Sequence, residues 1–296
     1  MAMNDERGDG GSSPKDANDA NGNAEGEGTS VGGAASAARV RVAEVAKHYE
    51  GTEGPIRALE GVSFDVSDGE FVCLVGPSGC GKTTLFRIIA GLESATAGEV
   101  FLNDERVEGP TPDMGVVFQE YHLFPWRTVR GNVGFGLEKG GIDGEGGLGG
   151  EKRRQRVDRL VELVGLEGFG DSYPKELSGG MKQRVAIARA LAVDPDLLLM
   201  DEPFGAVDAQ TREMLQSELL DIWRETGKTV LFVTHDVEEA VKLADRIVVM
   251  AKEPGRVREV IDVDLPRPRA RSDAAFGRYY ERVLGLIRGE RGTPDV

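Results

Sequence analysis

Five short apolar runs recur along this chain: Phe71-Val72-Cys73-Leu74-Val75, Gly115-Val116-Val117-Phe118, Leu197-Leu198-Leu199-Met200, Val230-Leu231-Phe232-Val233 and Ile247-Val248-Val249-Met250. None contains a charge, so each reads as a strand buried on both faces rather than one with a wet side. Between them the spacing changes to that of helices. Val185, Ile187, Ala188 and Leu191 continue one helical pattern. Leu215, Leu219, Ile222 and Trp223 make a second stripe, read as core packing, and Phe276, Tyr280, Val283, Leu284 and Ile287 a third, on an amphipathic helix near the C-terminus. Short buried strands alternating with helices predict an α/β fold with a largely parallel sheet covered on both faces.

Two segments lack this patterning. Residues 1–38 are Gly, Ser, Asn, Asp, Ala and Glu with almost no large apolar side chains. They cannot offset the entropy of ordering and are expected to be a disordered acidic tail. Gly140 to Gly150 has only Ile142 and Leu148 as sizeable apolar residues and reads as a flexible surface insertion.

Composition then limits the partners. The net charge is −15, and the tail's seven acids and two bases account for −5 of it, so the remainder is still acidic at −10. Nucleic acid and anionic lipid surfaces need a basic footprint, so neither is expected as the main partner. Cys73 and Cys80 lack metal-ligand spacing and a disulfide framework, which fits a reducing compartment. No apolar stretch approaches the ~20 residues that span a bilayer, and the N-terminus is unlike a signal peptide.

The chemistry sits at the strand ends. Gly76-Pro77-Ser78-Gly79-Cys80-Gly81-Lys82-Thr83 follows a predicted strand and precedes a predicted helix, Thr84 to Ala90, which is the context of a phosphate loop. Glycines there let bare backbone wrap phosphate oxygens, Lys82 would sit on the β- and γ-phosphates, and the Thr83 hydroxyl would face Mg²⁺. Asp201 and Glu202 close the Leu197 strand, where open α/β sheets bind ligands. Asp201 suits a Mg²⁺ shell and Glu202 the attacking water. Gln119 and His235 follow two further strands at the same sheet end and would reach the γ-phosphate or its water. His48 and His122 have no such placement and are read as surface residues. Leu177-Ser178-Gly179-Gly180-Met181-Lys182-Gln183-Arg184 adds a second anion-favouring helix start, with Ser178 as N-cap.

With these motifs in this order, the chain resembles the nucleotide-binding subunit of ABC transporters from about Arg39 to Arg258. Walker A is Gly76 to Thr83, the Q-loop glutamine Gln119, the signature Leu177 to Arg184, Walker B Leu197 to Glu202, the D-loop Gly205-Ala206-Val207-Asp208 and the switch histidine His235. Gly205 and Val207 stand where serine and leucine are commoner. The resemblance implies a P-loop NTPase with a RecA-like, mainly parallel sheet, a small antiparallel β subdomain and an α-helical subdomain near residues 124–183. The ATPase domain would run over 39–265, with a C-terminal extension over 266–296. ATP and Mg²⁺ are the implied cofactors. Tyr49 would stack on adenine, with Gly76, Pro77, Ser78, Gly79, Cys80, Gly81, Lys82, Thr83 and Thr84 around the phosphates. Ser178, Gly179, Gly180, Gln183 and Asp208 complete the nucleotide-binding set, Thr83, Gln119 and Asp201 the metal set, and Glu202, His235 and Gln119 the catalytic set.

The resemblance also implies partners. Two copies would dimerise head to tail, so that Walker A of one and Ser178-Gly179-Gly180 of the other sandwich each ATP. A transmembrane permease would hold the pair at the cytoplasmic face of the membrane, with a solute-binding protein as an indirect partner. Phe118-Gln119-Glu120 followed by Leu123-Phe124-Pro125-Trp126, the run Thr211-Arg212 through Ile222-Trp223, and Thr234 to Ala240 with Leu243-Ala244-Asp245-Arg246 look like importers for nitrate, sulfonates, taurine and related small solutes. Arg271-Ser272-Asp273 and the last helix fit them too. Leu123, Phe124 and Trp126 either dock the permease or pack inside the helical lobe. The alternative is a soluble ABC-type ATPase acting on DNA or ribosomes. Such proteins usually carry two cassettes, a long coiled-coil insertion or zinc-binding cysteines, none of which is seen here.

Overall fold

A computed structural model describes residues 38–52, 54–138 and 149–289. The expected tail, most of the 140–150 insertion and the last seven residues lie outside the described residues. The strands are β1 (Ala38–Gly51), β2 (Gly54–Ser67), β3 (Phe71–Val75), β4 (Ala97–Leu102), β5 (Glu105–Arg106), β6 (Met114–Val117), β7 (Leu197–Asp201), β8 (Thr229–Thr234), β9 (Arg246–Ala251) and β10 (Arg256–Asp262). The α-helices are α1 (Lys82–Ile89), α2 (Val129–Val133), α3 (Gly150–Leu163), α4 (Gly179–Ala192), α5 (Ala209–Thr226), α6 (Val237–Leu243) and α7 (Ala274–Arg288).

All five apolar runs are strands, and they lie side by side. The six-stranded sheet has the order β10-β9-β3-β8-β7-β6, parallel from β9 to β6, with β10 antiparallel at one edge. Side chains alternate between its faces, as a pleated strand requires. Phe71, Cys73, Val75, Leu198, Met200 and Phe232 enter one core with α2 to α7. Val72, Leu74, Leu197, Leu199, Leu231 and Val233 enter a second with α1 and the antiparallel sheet β2-β1-β4-β5. Phe71 meets Trp223 edge to face at 5.8 Å, which anchors the α5 stripe on the sheet.

The helical lobe, α2 to α4, shares the first core. Val129, Val133, Val157, Leu160, Val161 and Leu177 pack with Val185, Ala188 and Leu191 of α4. The C-terminal segment joins the same core. Phe276, Val283 and Leu286 of α7 are buried, with Tyr280, Leu284 and Ile287 packed beside them. Arg269, 7% exposed, donates to the carbonyls of Val241, Ala244, Val263 and Leu265 and so caps the end of α6. Burial pushes its guanidinium down to about 10, still charged at neutral pH.

Candidate nucleotide and hydrolysis site

Register brings the predicted residues together. Val75 pairs with Thr234, Asp201 with Val233 and Val117 with Met200. The phosphate loop, His235, Glu202 and Gln119 therefore follow the carboxyl ends of four adjacent parallel strands, β3, β8, β7 and β6.

The phosphate loop is closely built. A Cβ on Gly76 would lie 2.7 Å from Cys80 Sγ and 2.9 Å from the Met250 carbonyl, so only glycine fits. Gly81, at φ 90°, turns the chain in the left-handed region and starts α1 at Lys82, two residues before the expected Thr84. Lys82 is 7% exposed, and its ammonium donates to the Gly76 carbonyl at 2.9 Å and the Pro77 carbonyl at 3.4 Å. It lies folded onto the loop it would serve. Cys80 is buried, which raises its thiol pKa and removes it from reaction. Thr83 is exposed beyond the loop.

Burial, joined by the Glu202 charge and opposed by Lys82 and Arg87, pushes Asp201 up to about 6. A carboxylate in that position is short of positive charge. With the Thr83 hydroxyl and the Gln119 amide oxygen it would give an all-oxygen donor set, the chemistry that fits a small hard cation such as Mg²⁺ alongside water and phosphate. Among the described residues no cluster of His, Cys, Asp or Glu forms a metal cage of its own.

Glu202 adopts φ 43°, an uncommon left-handed conformation for a glutamate, with its N–H donating to the Val233 carbonyl at 2.9 Å. Its Oε2 lies 2.8 Å from His235 Nδ1. The base candidate and the switch histidine are thus already in hydrogen-bond contact. Gln119 is exposed and lies over Gly205, where a Cβ would stand 3.1 Å from its Nε2. The D-loop glycine leaves that amide room which serine would narrow.

Tyr49 comes from the antiparallel sheet. Its hydroxyl donates to Glu93 Oε1 at 2.7 Å and lies 3.4 Å from the partly buried Thr84 hydroxyl, beside the start of α1. Glu93 is partly buried, yet hydrogen bonds from Tyr49 and Lys47 hold its carboxyl below the usual range. Lys47 also sits over the ring, 5.1 Å from its centroid. Neither Glu93 nor Lys47 belongs to a motif, and only their placement reveals them.

The signature lies on the helical lobe. Ser178 is exposed and caps α4, accepting from the Met181 N–H at 3.3 Å. Gly179 starts the helix beside Tyr121 and Val207, and Asp208 caps α5 through the N–H and hydroxyl of Thr211 at 3.0 and 2.7 Å. Gln183 departs from expectation. It is fully buried inside the lobe, with neither amide atom hydrogen-bonded, because it lies three residues after Gly180 and four before Ile187 on the inward face of α4. It is therefore removed from the nucleotide-binding set. Arg189, further along α4, donates to the carbonyls of Tyr121 and His122 at 3.0 and 2.6 Å and ties the helix to the Q-loop. His48 and His122 are exposed. Leu123 packs on the core, whereas Phe124 stacks on Phe135 at 4.4 Å and on Trp126, which is 71% exposed.

These features recur in known proteins. The ABC transporter family model matches residues 59–205. An uncharacterized ABC transporter ATP-binding protein of Methanocaldococcus jannaschii is 50% identical over 252 residues, covering 85% of this chain and 92% of that protein. An aliphatic sulfonates import ATP-binding protein, SsuB of Bacillus cereus, is 46% identical over 245 residues, covering 83% of this chain and 94% of its own length. Among solved structures, the dimeric post-hydrolysis ATP-binding cassette MJ0796 bound to ADP and Pi aligns with a TM-score of 0.66 at 36% identity, over 77% of this chain and all of that one. The P-loop NTPase fold, the four strand-end motifs and this extent of identity have one consistent reading: the chain belongs to the ABC transporter ATP-binding family and is an ATP hydrolase that energises transport.

Proposed function

We propose that this chain energises an importer for a small solute such as nitrate, a sulfonate or taurine. The observation that carries the catalytic half is the 2.8 Å contact between Glu202 and His235 at the end of the sheet that also bears the phosphate loop. Lys82 and the loop amides bind the phosphates, and Tyr49 stacks on the base. Thr83, Asp201 and Gln119 would hold Mg²⁺, which would supply positive charge to the phosphates when bound. Glu202 takes the proton of the attacking water, and His235 orients it.

The functional unit is a head-to-tail pair of copies. Ser178, Gly179 and Gly180 open a helix on the lobe, and Asp208 opens another. Such helix starts serve phosphate best across a symmetric interface. ATP closes the pair and hydrolysis reopens it. No helix among the described residues is long and apolar enough to cross a membrane. The pair sits peripherally at the cytoplasmic face, held by a permease whose cytoplasmic segment docks on Trp126 and Phe124. A solute-binding protein supplies cargo from the other side, and nucleic acid plays no part. The relatives named for aliphatic sulfonate import support the cargo class.

Uptake of labelled taurine, an alkanesulfonate and nitrate in cells lacking this chain tests the reading. Loss of one of the three, restored by the wild-type chain and not by Glu202→Gln, is expected. Unchanged uptake of all three would remove the cargo assignment.

A further inference from the structure

We propose that Arg212 and Glu239 form a positioning bridge that couples the D-loop to the switch histidine. Arg212 and Gln216 lie four residues apart on α5 and so share the face turned toward α6. Glu239, 5% exposed, accepts from the Gln216 amide at 3.2 Å through Oε1. Its Oε2 accepts from the Thr234 hydroxyl at 2.6 Å. Thr234 immediately precedes His235, and its hydroxyl oxygen accepts from the N–H of Asp236, which follows, at 3.0 Å. Both neighbours of the switch histidine are thereby fixed from one buried carboxylate.

Arg212 supplies the other end. Its Nη2 donates to the carbonyl of D-loop residue Val207 at 3.3 Å. Its Nη1 stands 3.7 Å from Asp236 Oδ2 and its Nε 3.9 Å from Glu239 Oε1. That Nε is buried and makes no hydrogen bond. Charge-assisted hydrogen bonds run at about 2.7–2.9 Å, so the guanidinium is held about 1 Å short of closing on either carboxylate. A small cavity lies between these groups and reaches Glu202 and His235, leaving space for that closure.

The D-loop borders the signature face, since a Cβ on Gly179 would lie 3.7 Å from Val207 Cγ1. A copy docked on that face displaces Val207, and the displacement reaches Arg212 through the carbonyl it holds. Arg212 then closes on Asp236 and Glu239 and sets the segment that carries His235. A polar bridge of this kind, half-buried at Arg212 and buried at Glu239, serves to specify an arrangement more than to stabilise the fold. This coupling rests on the head-to-tail dimer proposed above, so the experiment reads dimerisation separately.

Steady-state ATPase of the full chain is measured for Arg212→Met, Arg212→Lys, Glu239→Gln and the Arg212→Met/Glu239→Gln double variant. ATP-dependent dimerisation is followed by sedimentation with Glu202→Gln in each background. Arg212→Met is expected to lower kcat about tenfold with KM within about twofold, and Arg212→Lys to recover most of it. The double variant is expected to be no worse than the poorer single one, the sign of one coupled unit. Dimerisation should persist. A kcat within twofold of wild type, additive losses, or a loss that tracks a lowered unfolding midpoint without rescue by lysine would overturn the bridge. If Arg212→Met does not fold, Arg212→Lys and Glu239→Gln decide by the same criteria. Failure of the Glu202→Gln chain alone to dimerise would refute the dimer instead.

Discussion

Two helix starts in this molecule are suited to phosphate, and they are built differently. The start of α1 is embedded in the sheet. Gly81 is left-handed, a Cβ on it would lie 2.6 Å from Leu59 Cδ2, and Lys82 is buried against the loop's own carbonyls. The start of α4 is held by one exposed serine cap on a lobe of helices, with no lysine folded onto it and only Tyr121 and Val207 near Gly179. The first has the backbone wrap, the cation and the neighbouring acids of a complete phosphate site. The second has only helix N–H groups and, under the head-to-tail pairing proposed above, would become a site when another copy brings the phosphate. The packing differs too: a Cβ on Gly76 or Gly81 would lie under 3.0 Å from backbone of β9 or β2, whereas the nearest atoms to a Cβ on Gly179 or Gly180 are side chains at 3.0 Å or more.

Substitutions can break this contrast, and the most decisive pair strikes one start each. Lys82→Ala should abolish ATP binding to the isolated chain, whereas Ser178→Arg should leave that binding nearly intact while abolishing hydrolysis and ATP-dependent dimerisation. Equilibrium binding of a fluorescent ATP analogue beside phosphate release separates them, and loss of monomer binding in Ser178→Arg would erase the distinction. Next, Glu202→Gln should retain ATP yet lose roughly 10²-fold or more in turnover. Unchanged turnover would take Glu202 out of the mechanism.

A gentler comparison uses the two glycines. Gly81→Ala places a side chain at φ 90° against Leu59 and should cost about 1–3 kcal/mol of stability. Gly179→Ala meets the Tyr121 hydroxyl at 3.2 Å and Val207 Cγ1 at an ordinary 3.7 Å, and should stay within about 0.5 kcal/mol. Urea unfolding of both variants measures this, and equal costs would mean that the lobe is as tightly built as the phosphate loop.

The smallest effect concerns pH. Asp201 is raised from its ordinary value to about 6, so between those values the folded chain holds a proton that the unfolded chain has released. Its contribution to the stability of the nucleotide-free protein is therefore present at lower pH and lost as pH rises toward and through about 6. Asp201→Asn should flatten that slope in urea midpoints taken across the window. A variant slope equal to the wild type's would remove Asp201 as its source.

The strand ends were legible because apolar runs without charges have one stable home, and because Gly76–Thr83, Asp201-Glu202, Gln119 and His235 sit at their carboxyl ends. The supports of the site were not legible. Glu93 and Lys47 orient Tyr49 from 44 and 2 residues away, and Arg189 holds the Q-loop from 67 and 68 residues away. Such partners carry no spacing rule. Gln183 shows the converse: its place in a motif put it at the nucleotide, but α4 turns it inward.

The sequence by itself therefore determined which strands are buried, at which strand ends the phosphate loop, the paired acids, Gln119 and His235 fall, and which family this chain joins, because local patterning and motif spacing act within a few residues. Only the tertiary structure decided that Glu202 meets His235 directly, that Lys82 rests on its own loop, and that Arg212 stands between the D-loop and the switch. Those relations depend on strand order and helix facing, and both are set when distant segments pack on a single core.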